Sequence, residues 1–577
     1  MAALRGMEKA GIVAFSAEEE LRLPDLTAVE PSGPIVLNEE QEAAFQSIRT
    51  LTKTGKPEAV LLQGVTGSGK TQVYLRLVQE ILSRGRRAMV LVPEIVLTPQ
   101  MMRRFSACFG DQVAMLHSSL RMTERYDQWK RIRRGEVQVV LGTRSAIFAP
   151  LKNVGLIVLD EEQESSYQSE NPPRYHTRDV AKYLCARDKS TLVLGSATPA
   201  VETAWNAEHG IYHKALLRRR YNRQALPEVL VADLKQEIRA GNAGMVGQVL
   251  RTELEENLRR GEQSILFLNR RGNSRMALCS QCGEVPTCPR CSVHLTYHSA
   301  NGRLMCHYCG YSMPLPEVCP HCAGRFQFVG MGTQKLQEEL QALYPDVEVM
   351  RMDADTITAT RSHEVLLDRF RRKKVPILLG TQMVAKGLDF EDVTLVGVLG
   401  IDSLLFAQGF RAYENVFSLI TQVVGRSGRA KDPGFAIIQT TDPDNPVLNL
   451  AAAQDYDAFF EQEIAYRKLG LYPPFCGLCV IGFAGPKEIE VARAAARFSA
   501  LLGQQAAKQP DLPLRVLGPT PGSIEKINDS YRYKLTVKCR NDRRFRDLVR
   551  STLDCYEQEK LPSKATVVVD LHSDGDI

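Results

Sequence analysis

The sequence predicts an α/β protein of two parallel-sheet lobes, the second carrying a cysteine-rich insertion, followed by an α+β domain. Three observations carry this reading. Short apolar runs alternate with helical patterns from Asn38 to about Leu217, and a second such series starts at Ser264. Eight cysteines crowd into 279–322 and interrupt that second series. From about Asp455 the regular alternation gives way to a different order of helices and strands.

In the first lobe the expected strands are AVLLQG, AMVLVP, VQVVLGT, GLIVLDEE and TLVLGSATP, each short, apolar and ended by a turn or a polar group. Strands alternating with helices imply a parallel sheet covered on both faces. The second lobe offers SILFLN, VEVMRMD, VPILLGT, VTLVGVLG and GFAIIQTT, and the tail offers LCVIGFAG, RYKLTVKC and ATVVVDLHS between helices. Ahead of the lobes, ALRGMEKAGIVAFS reads as the end of an amphipathic helix turning into a strand, and the acidic, Pro-rich stretch after it as a linker. The expected boundaries are 1–23, 24–36 for the linker, 37–220 for the first lobe, 221–278 with 327–454 for the second, 279–326 for the insertion and 455–577 for the tail.

At 577 residues with 44% hydrophobic and 24% charged side chains, the chain can bury a core in each of several domains. A net charge of +6 permits an anionic partner without demanding one. No run of 18 apolar residues is present to span a membrane, and MAALRGMEKAGIVAF lacks an apolar secretory core. The expected location is therefore the cytoplasm. There the 14 cysteines stay reduced, and paired CxxC units hold metal more often than disulfides.

GVTGSGKT (Gly64–Thr71) matches G-x-x-x-x-G-K-[ST] between an apolar strand and a helix beginning at Lys70. A glycine-rich turn at a helix N-terminus lets backbone N–H groups face a polyphosphate, with Gly64, Thr66, Gly67, Ser68 and Gly69 forming the cradle. Lys70 then reaches the β/γ-phosphates and the Thr71 hydroxyl ligates Mg²⁺. VGLIVLDEEQ supplies carboxylates at a strand end: Asp160 to hold Mg²⁺ and Glu161 to polarise the attacking water. In LVLGSATP, Ser196 and Thr198 are placed to relay the state of the γ-phosphate. QVVGRSGRA puts Arg426 and Arg429 three apart on one helix face, the arrangement of arginine fingers across a cleft from the phosphate loop.

GxxxxGKT, DEEQ, GSATP, GTQMVAKGLDF and QVVGRSGRA, in this order, resemble the motifs of superfamily 2 helicases. With VLVPEIVLTPQ, GTRSAIFAP, FLNRRG, the eight cysteines and YPPF, nearly the whole chain resembles the primosomal replication-restart (PriA) helicase family. That resemblance implies two RecA-like lobes, a zinc-binding insertion and a C-terminal DNA-binding domain. It implies an ATP-dependent 3′→5′ DNA helicase that remodels stalled forks and initiates primosome assembly. Implied partners are forked and single-stranded DNA, single-stranded-DNA-binding protein, PriB and DnaT. The family reads DEEH where Gln163 stands here, and the chain begins within what resembles the last part of a winged helix. By the same resemblance Gln41 in LNEEQ reads adenine, Gln422 monitors the nucleotide, and Gly387 and Asp389 link the second lobe to ATP and DNA.

DNA contacts are expected from Thr143, Arg144 and Ser145 and from Thr381 and Gln382. Tyr167, Tyr175 and His176 suit either base stacking or the anchoring of a loop, and resemblance to an aromatic-rich loop favours DNA. The basic stretch from Lys526 to Arg546 is either a DNA-binding surface or a solvated face.

Four CxxC units give eight thiolates, the number two tetrahedral Zn²⁺ sites need. Cys288 and Cys291 with Cys306 and Cys309 have ribbon spacing, and Cys279 and Cys282 with Cys319 and Cys322 close around them as a nested outer site. Iron–sulfur ligation is the chief rival. Cys108, Cys185, Cys476, Cys479, Cys539 and Cys555 read as buried thiols. Two further functional classes share these motifs: a duplex DNA translocase, and a fork-binding assembly platform with a dispensable ATPase.

Overall fold

The continuous apolar run Val60–Leu62 in EAVLLQG forms the centre of β1 (Glu58–Gly64) and is buried on both faces, as a strand sandwiched between helix layers requires. Around it lie β2 (Arg87–Leu91), β3 (Val113–Leu116), β4 (Val139–Gly142), β5 (Val154–Asp160), β6 (Thr191–Ser196) and β7 (His213–Leu217). They make one parallel sheet in the order β3-β4-β2-β5-β6-β1-β7. The computed structural model describes 33–571 outside 94–98, 172, 223, 240–243, 270–274, 280, 282–283, 285, 291–294, 299–301, 307–310, 330–331, 354–362, 382–389, 391, 406–408, 428–433 and 560–564, and before that Met7 and 10–12. The expected helix-to-strand turn and linker ahead of the first lobe thus lie almost wholly outside the described residues.

The second lobe repeats the architecture. β8 (Glu228–Asp233), β9 (Gln263–Leu268), β15 (Val349–Met352), β16 (Ile377–Gly380), β17 (Val393–Leu399) and β18 (Phe435–Thr440) form a parallel sheet in the order β15-β16-β9-β17-β18-β8. Between β9 and β15 the chain leaves to build a separate antiparallel sheet from β10 (Arg275–Cys279), β11 (Thr296–His298), β12 (Arg303–Met305), β13 (Ser312–Pro314) and β14 (Phe326–Val329). Its first and last strands pair antiparallel, Cys279 opposite Phe326, so the insertion begins and ends at one place.

The tail is an antiparallel sheet of β19 (Gly477–Gly485), β20 (Leu514–Ile527), β21 (Ser530–Cys539) and β22 (Thr566–Asp570), in the order β20-β21-β19-β22 and packed on two helices. β20 is absent from the sequence reading because LRVLGPTPGSIEKI carries Gly518, Pro519, Pro521 and Gly522. Those residues are tolerated on an edge strand with register shifts, which is where β20 lies. The sequence pattern does not announce β3, β7 or β8 either. β3 is only four residues long, and β7 and β8 are sheet-edge strands with exposed positions. The helix Tyr456–Gly470 buries Tyr456 and Phe459 in the second lobe's core, so the tail is rooted in that lobe.

Candidate nucleotide and metal sites

β1, β6 and β5 are neighbours, and Leu62, Gly195 and Asp160 stand level in their register. The phosphate loop, the GSATP turn and DEEQ therefore leave the sheet side by side at its C-terminal edge, where open α/β sheets take ligands. Gly67 and Gly69 adopt φ of 80° and 82°, left-handed values that glycine reaches without a Cβ clash. Lys70 opens the helix Lys70–Ser83 and its ammonium donates to the Gly64 carbonyl at 3.0 Å, closing the loop on itself. Gln41 accepts from the Asn38 backbone at 3.0 Å and donates to the Ser68 carbonyl at 2.9 Å. One end of its amide thus closes the cap of its own helix and the other braces the loop.

Asp160 is buried and accepts a hydrogen bond from the Tyr74 hydroxyl at 2.9 Å. This contact needs Gly195, since a Cβ there would lie 1.7 Å from the Tyr74 oxygen. Burial, then the neighbouring Glu161 carboxylate, push the Asp160 carboxyl up to about 6, against the pull of Lys70. Two adjacent oxygen donors short of positive charge fit a hard divalent cation such as Mg²⁺. Glu161 sits at φ 46°, a left-handed conformation costing on the order of 1–3 kcal/mol for a side-chain-bearing residue. Its carboxylate accepts from the Gln163 amide at 2.9 Å, and Gln163 in turn accepts the Ser196 hydroxyl at 2.6 Å. Glu162 points the other way, buried against the Ala200 N–H at 2.8 Å, the Thr203 hydroxyl at 2.9 Å and Arg178 at 3.3 Å.

The helix Ala412–Val424 carries the second lobe's answer to this surface. Glu414, Ser418 and Gln422, four apart, share one face. Glu414 accepts the Val201 N–H at 2.9 Å, Ser418 meets Thr198 at 2.8 Å, and the Gln422 amide lies 3.5 Å from Glu161 and 3.3 Å from Glu164. Just past the helix, Gly425 lies against the phosphate loop, where an added Cβ would be 2.7 Å from a Thr66 carbon. Arg426 is half-buried at this junction. Sequence reasoning missed Arg220. It is buried beside Gly67, and its guanidinium donates across the cleft to the Ser427 carbonyl at 3.3 Å and the Gly425 carbonyl at 3.5 Å. The one sequence signal for it is the basic run RRR ending a strand. Gly387, Asp389, Arg429 and Gln382 lie outside the described residues.

The aromatic loop requires a correction. Tyr167 is no stacking platform: it is fully buried, its hydroxyl within 2.9 Å of the Leu91 carbonyl and 2.8 Å of the Asp160 carbonyl. Tyr175 packs edge-on to Phe148, and His176 caps the helix Thr177–Asp188 through the Arg178 N–H. Arg144 holds this loop by the carbonyls of Ser166 and Gln168 at 3.1 and 2.6 Å. Thr143 and Thr381 are buried.

In the insertion, Cys279, Cys319 and Cys322 bring their sulfurs within 4.8 Å of one another, and Cys279 and Cys322 stand 3.4 Å apart. A disulfide would place them about 2.05 Å apart. Sulfurs around a tetrahedral zinc at about 2.3 Å are separated by about 3.8 Å, so the trio fits a zinc site. Cys288 falls outside that trio and is buried with Cys306, Ala277, Leu295 and Leu304 in the module's small core. Cys282, Cys291 and Cys309 lie outside the described residues. His321 is exposed, 3.7 Å from Glu284. Of the remaining cysteines, Cys185, Cys479 and Cys539 are buried, whereas Cys108, Cys476 and Cys555 are only partly so, contrary to expectation.

Four family models match in chain order: DEAD/DEAH box helicase over 38–206, PriA DNA helicase Cys-rich region over 288–314, helicase conserved C-terminal domain over 324–431, and primosomal protein N C-terminal domain over 468–573. The replication restart protein PriA of Bacillus subtilis is 42% identical over 99% of this chain and 71% of its own length. The chain belongs to the PriA family. The PriA proteins of Synechocystis and Haemophilus influenzae are 41% and 36% identical, over 93% and 95% of this chain and 65% and 73% of theirs. The PriA assignment makes the chain an ATP-dependent DNA helicase with two RecA-like lobes, using ATP with Mg²⁺ and carrying zinc in its cysteine-rich region. Among the described residues no helix is long and apolar enough to cross a membrane.

Proposed function

We propose that this PriA-family helicase moves 3′→5′ on single-stranded DNA, opens stalled forks and starts primosome assembly for replication restart. The observation that carries the reading is the face of the helix Ala412–Val424. It touches Glu161, Thr198 and the Val201 backbone at once, so the carboxylate box and the GSATP turn answer to the position of the second lobe. Such a contact set lets hydrolysis chemistry and lobe movement drive each other.

Lys70 and the Gly64–Gly69 backbone would hold the β- and γ-phosphates, with Thr71 and Asp160 holding Mg²⁺, which when bound neutralises phosphate charge. Glu161 orients the attacking water and takes its proton, kept in place by Gln163 and Gln422. Arg426 and Arg429 stabilise charge on the transferring group. Gln41 braces the loop from the adenine side, and Gly387 and Asp389 complete the second lobe's contribution. The eight cysteines hold two zinc ions in nested sites, Cys279, Cys282, Cys319 and Cys322 outside and Cys288, Cys291, Cys306 and Cys309 inside. Single-stranded-DNA-binding protein, PriB and DnaT are the proposed protein partners, and the cytoplasm the proposed location. A displaced-strand assay on forks with one labelled arm tests the reading. ATP-dependent release of the arm opened by 3′→5′ movement is expected, and DNA-stimulated hydrolysis without strand release would instead indicate a duplex translocase.

A further inference from the structure

A second ionic cluster lies where both lobes and the root of the C-terminal domain meet. At its centre Arg467 is fully buried. Its guanidinium reaches Glu463 at 2.8 Å, Glu414 at 2.8 Å, Glu202 at 3.4 Å and the Pro473 carbonyl at 3.3 Å. Arg411 reaches Glu202 at 2.5 Å and Glu414 at 2.9 Å. The Phe410 ring lies 4.7 and 4.9 Å from the two guanidinium carbons and stacks on Tyr472, over which Lys538 of β21 sits at 3.9 Å.

The five charged groups come from three elements. Glu202 opens the helix Val201–Glu208 of the first lobe, directly after the GSATP turn. Arg411 and Glu414 begin the helix whose far end faces the phosphate loop. Arg467 is in the last turn of the helix Tyr456–Gly470, one residue before the segment matched by the C-terminal family model. On the second-lobe side, Glu414 and Glu463 already balance Arg411 and Arg467. Glu202 is the extra carboxylate and, among these five charged groups, the one from the first lobe. Parting the lobes therefore leaves a neutral set on the second-lobe side and leaves Glu202 on the first lobe with Arg178 as its nearby cation, which makes the contact reversible. Burial alone would push the Glu202 carboxyl up, but Arg411 and then Arg467 pull it down to about 2, so it is charged at neutral pH.

We propose that Glu202, Arg411 and Arg467 form a closure latch, with Arg467 a positioning residue that reports lobe closure to the C-terminal domain. This rests on the reading of the lobes as an ATP-driven motor. The test uses the full chain with Glu202→Gln, Arg411→Gln, the double variant and Arg467→Lys, and Lys70→Ala as the motor control. It measures DNA-stimulated kcat, KM for ATP, thermal midpoint, and affinity for forked DNA with and without ADP–aluminium fluoride.

Glu202→Gln and Arg411→Gln should each lower kcat about tenfold with KM nearly unchanged, the mark of an interaction that matters in the closed state. The double variant should lose no more than either single one, because the two act as a unit. Arg467→Lys keeps the charge but cannot fork between three carboxylates. It should lose the nucleotide-dependent change in DNA affinity while retaining more turnover than Glu202→Gln. Wild-type turnover in both single variants, additive losses in the double one, or a fall in kcat that only tracks a lower thermal midpoint would overturn the latch. A wild-type affinity change in Arg467→Lys would overturn its link to the C-terminal domain. If Lys70→Ala hydrolyses ATP like the wild type, the motor reading itself is wrong, and the latch falls with it.

Discussion

The Gln163 side-chain oxygen accepts the Ser196 hydroxyl at 2.6 Å, joining the end of β5 to the end of β6. Because the same amide donates to Glu161 at 2.9 Å, one residue ties the Glu161 carboxylate to the GSATP turn. This amide can donate and accept at once, as a neutral imidazole does. Gln163→Ala should lower DNA-stimulated kcat about 10- to 100-fold with little change in KM for ATP, and Gln163→His should recover much of the loss. Steady-state kinetics on forked DNA decide this; an unchanged kcat in the alanine variant would leave the bridge without a role.

Lys70→Ala should abolish DNA-stimulated hydrolysis while DNA binding stays largely intact. Lys70 is half-buried and holds the loop's own Gly64 carbonyl in this structure, so its removal need not disturb the core. Filter binding and phosphate release, run side by side, check both halves of the statement.

Arg220→Ala should reduce turnover more than nucleotide affinity. It strips the Gly425 and Ser427 carbonyls of a buried donor, and each unmet group costs about 1–3 kcal/mol when it stays dry. The second lobe should then dock less often against the phosphate loop. Single-turnover rates with saturating ATP measure that docking, and rates equal to wild type would refute it.

The placement of the candidate nucleotide site's motifs was legible because each is local. GVTGSGKT, DEEQ and GSATP each end a strand, and three adjacent strands deliver them to one edge. Arg220, Arg411 and Arg467 were not legible. Each acts on residues that the fold, not the sequence, brings near: Arg220 on Ser427, Arg411 on Glu202, Arg467 on Glu202 and Glu414. Tyr167 was left between stacking and anchoring for a related reason, since a tyrosine among polar residues looks exposed until the carbonyls of Leu91 and Asp160 are placed beside its hydroxyl.

The purified chain should contain two Zn²⁺ and little iron. Cys319→Ala should lose one ion from the outer set, and Cys288→Ala one from the inner set. Among the described residues the module's buried core is a handful of side chains, so zinc, worth about 10–16 kcal/mol at a structural site, would dominate its folding. Metal analysis of both variants tests this; loss of both ions in either variant would mean one cooperative site, and a brown, iron-bearing protein would overturn zinc.

Arg540, Arg543 and Arg546 are exposed, held by Asp542 at 3.9 Å, by Asp547 at 3.8 Å and by the Asp542 carbonyl at 3.1 Å, while Lys538 is turned inward onto the Gly470 carbonyl and Arg544 pairs with Asp511. Replacing the three exposed arginines with alanine should weaken fork binding. It should also flatten the slope of log K against log salt by about 0.7–0.9 for each DNA phosphate that is no longer neutralised. Truncation at Asp455 would be a poorer test, because it removes Tyr456 and Phe459 from the second lobe's core. A salt slope equal to wild type would make this a solvated face.

The tip between β20 and β21 does not hang free. The Asp529 N–H donates to the Arg290 carbonyl at 2.8 Å, Lys526 donates to the Pro289 carbonyl at 3.1 Å, and Ile527 packs on the core of the cysteine module. The path from the second lobe through the insertion, into the tail and back along the helix Tyr456–Gly470 is therefore a closed circuit. In mechanical terms it is a braced frame, not a string of beads. A strut of such a frame cannot tilt without loading the others, so a load on the corner held by the cysteine module is shared with the corner where Arg467 sits.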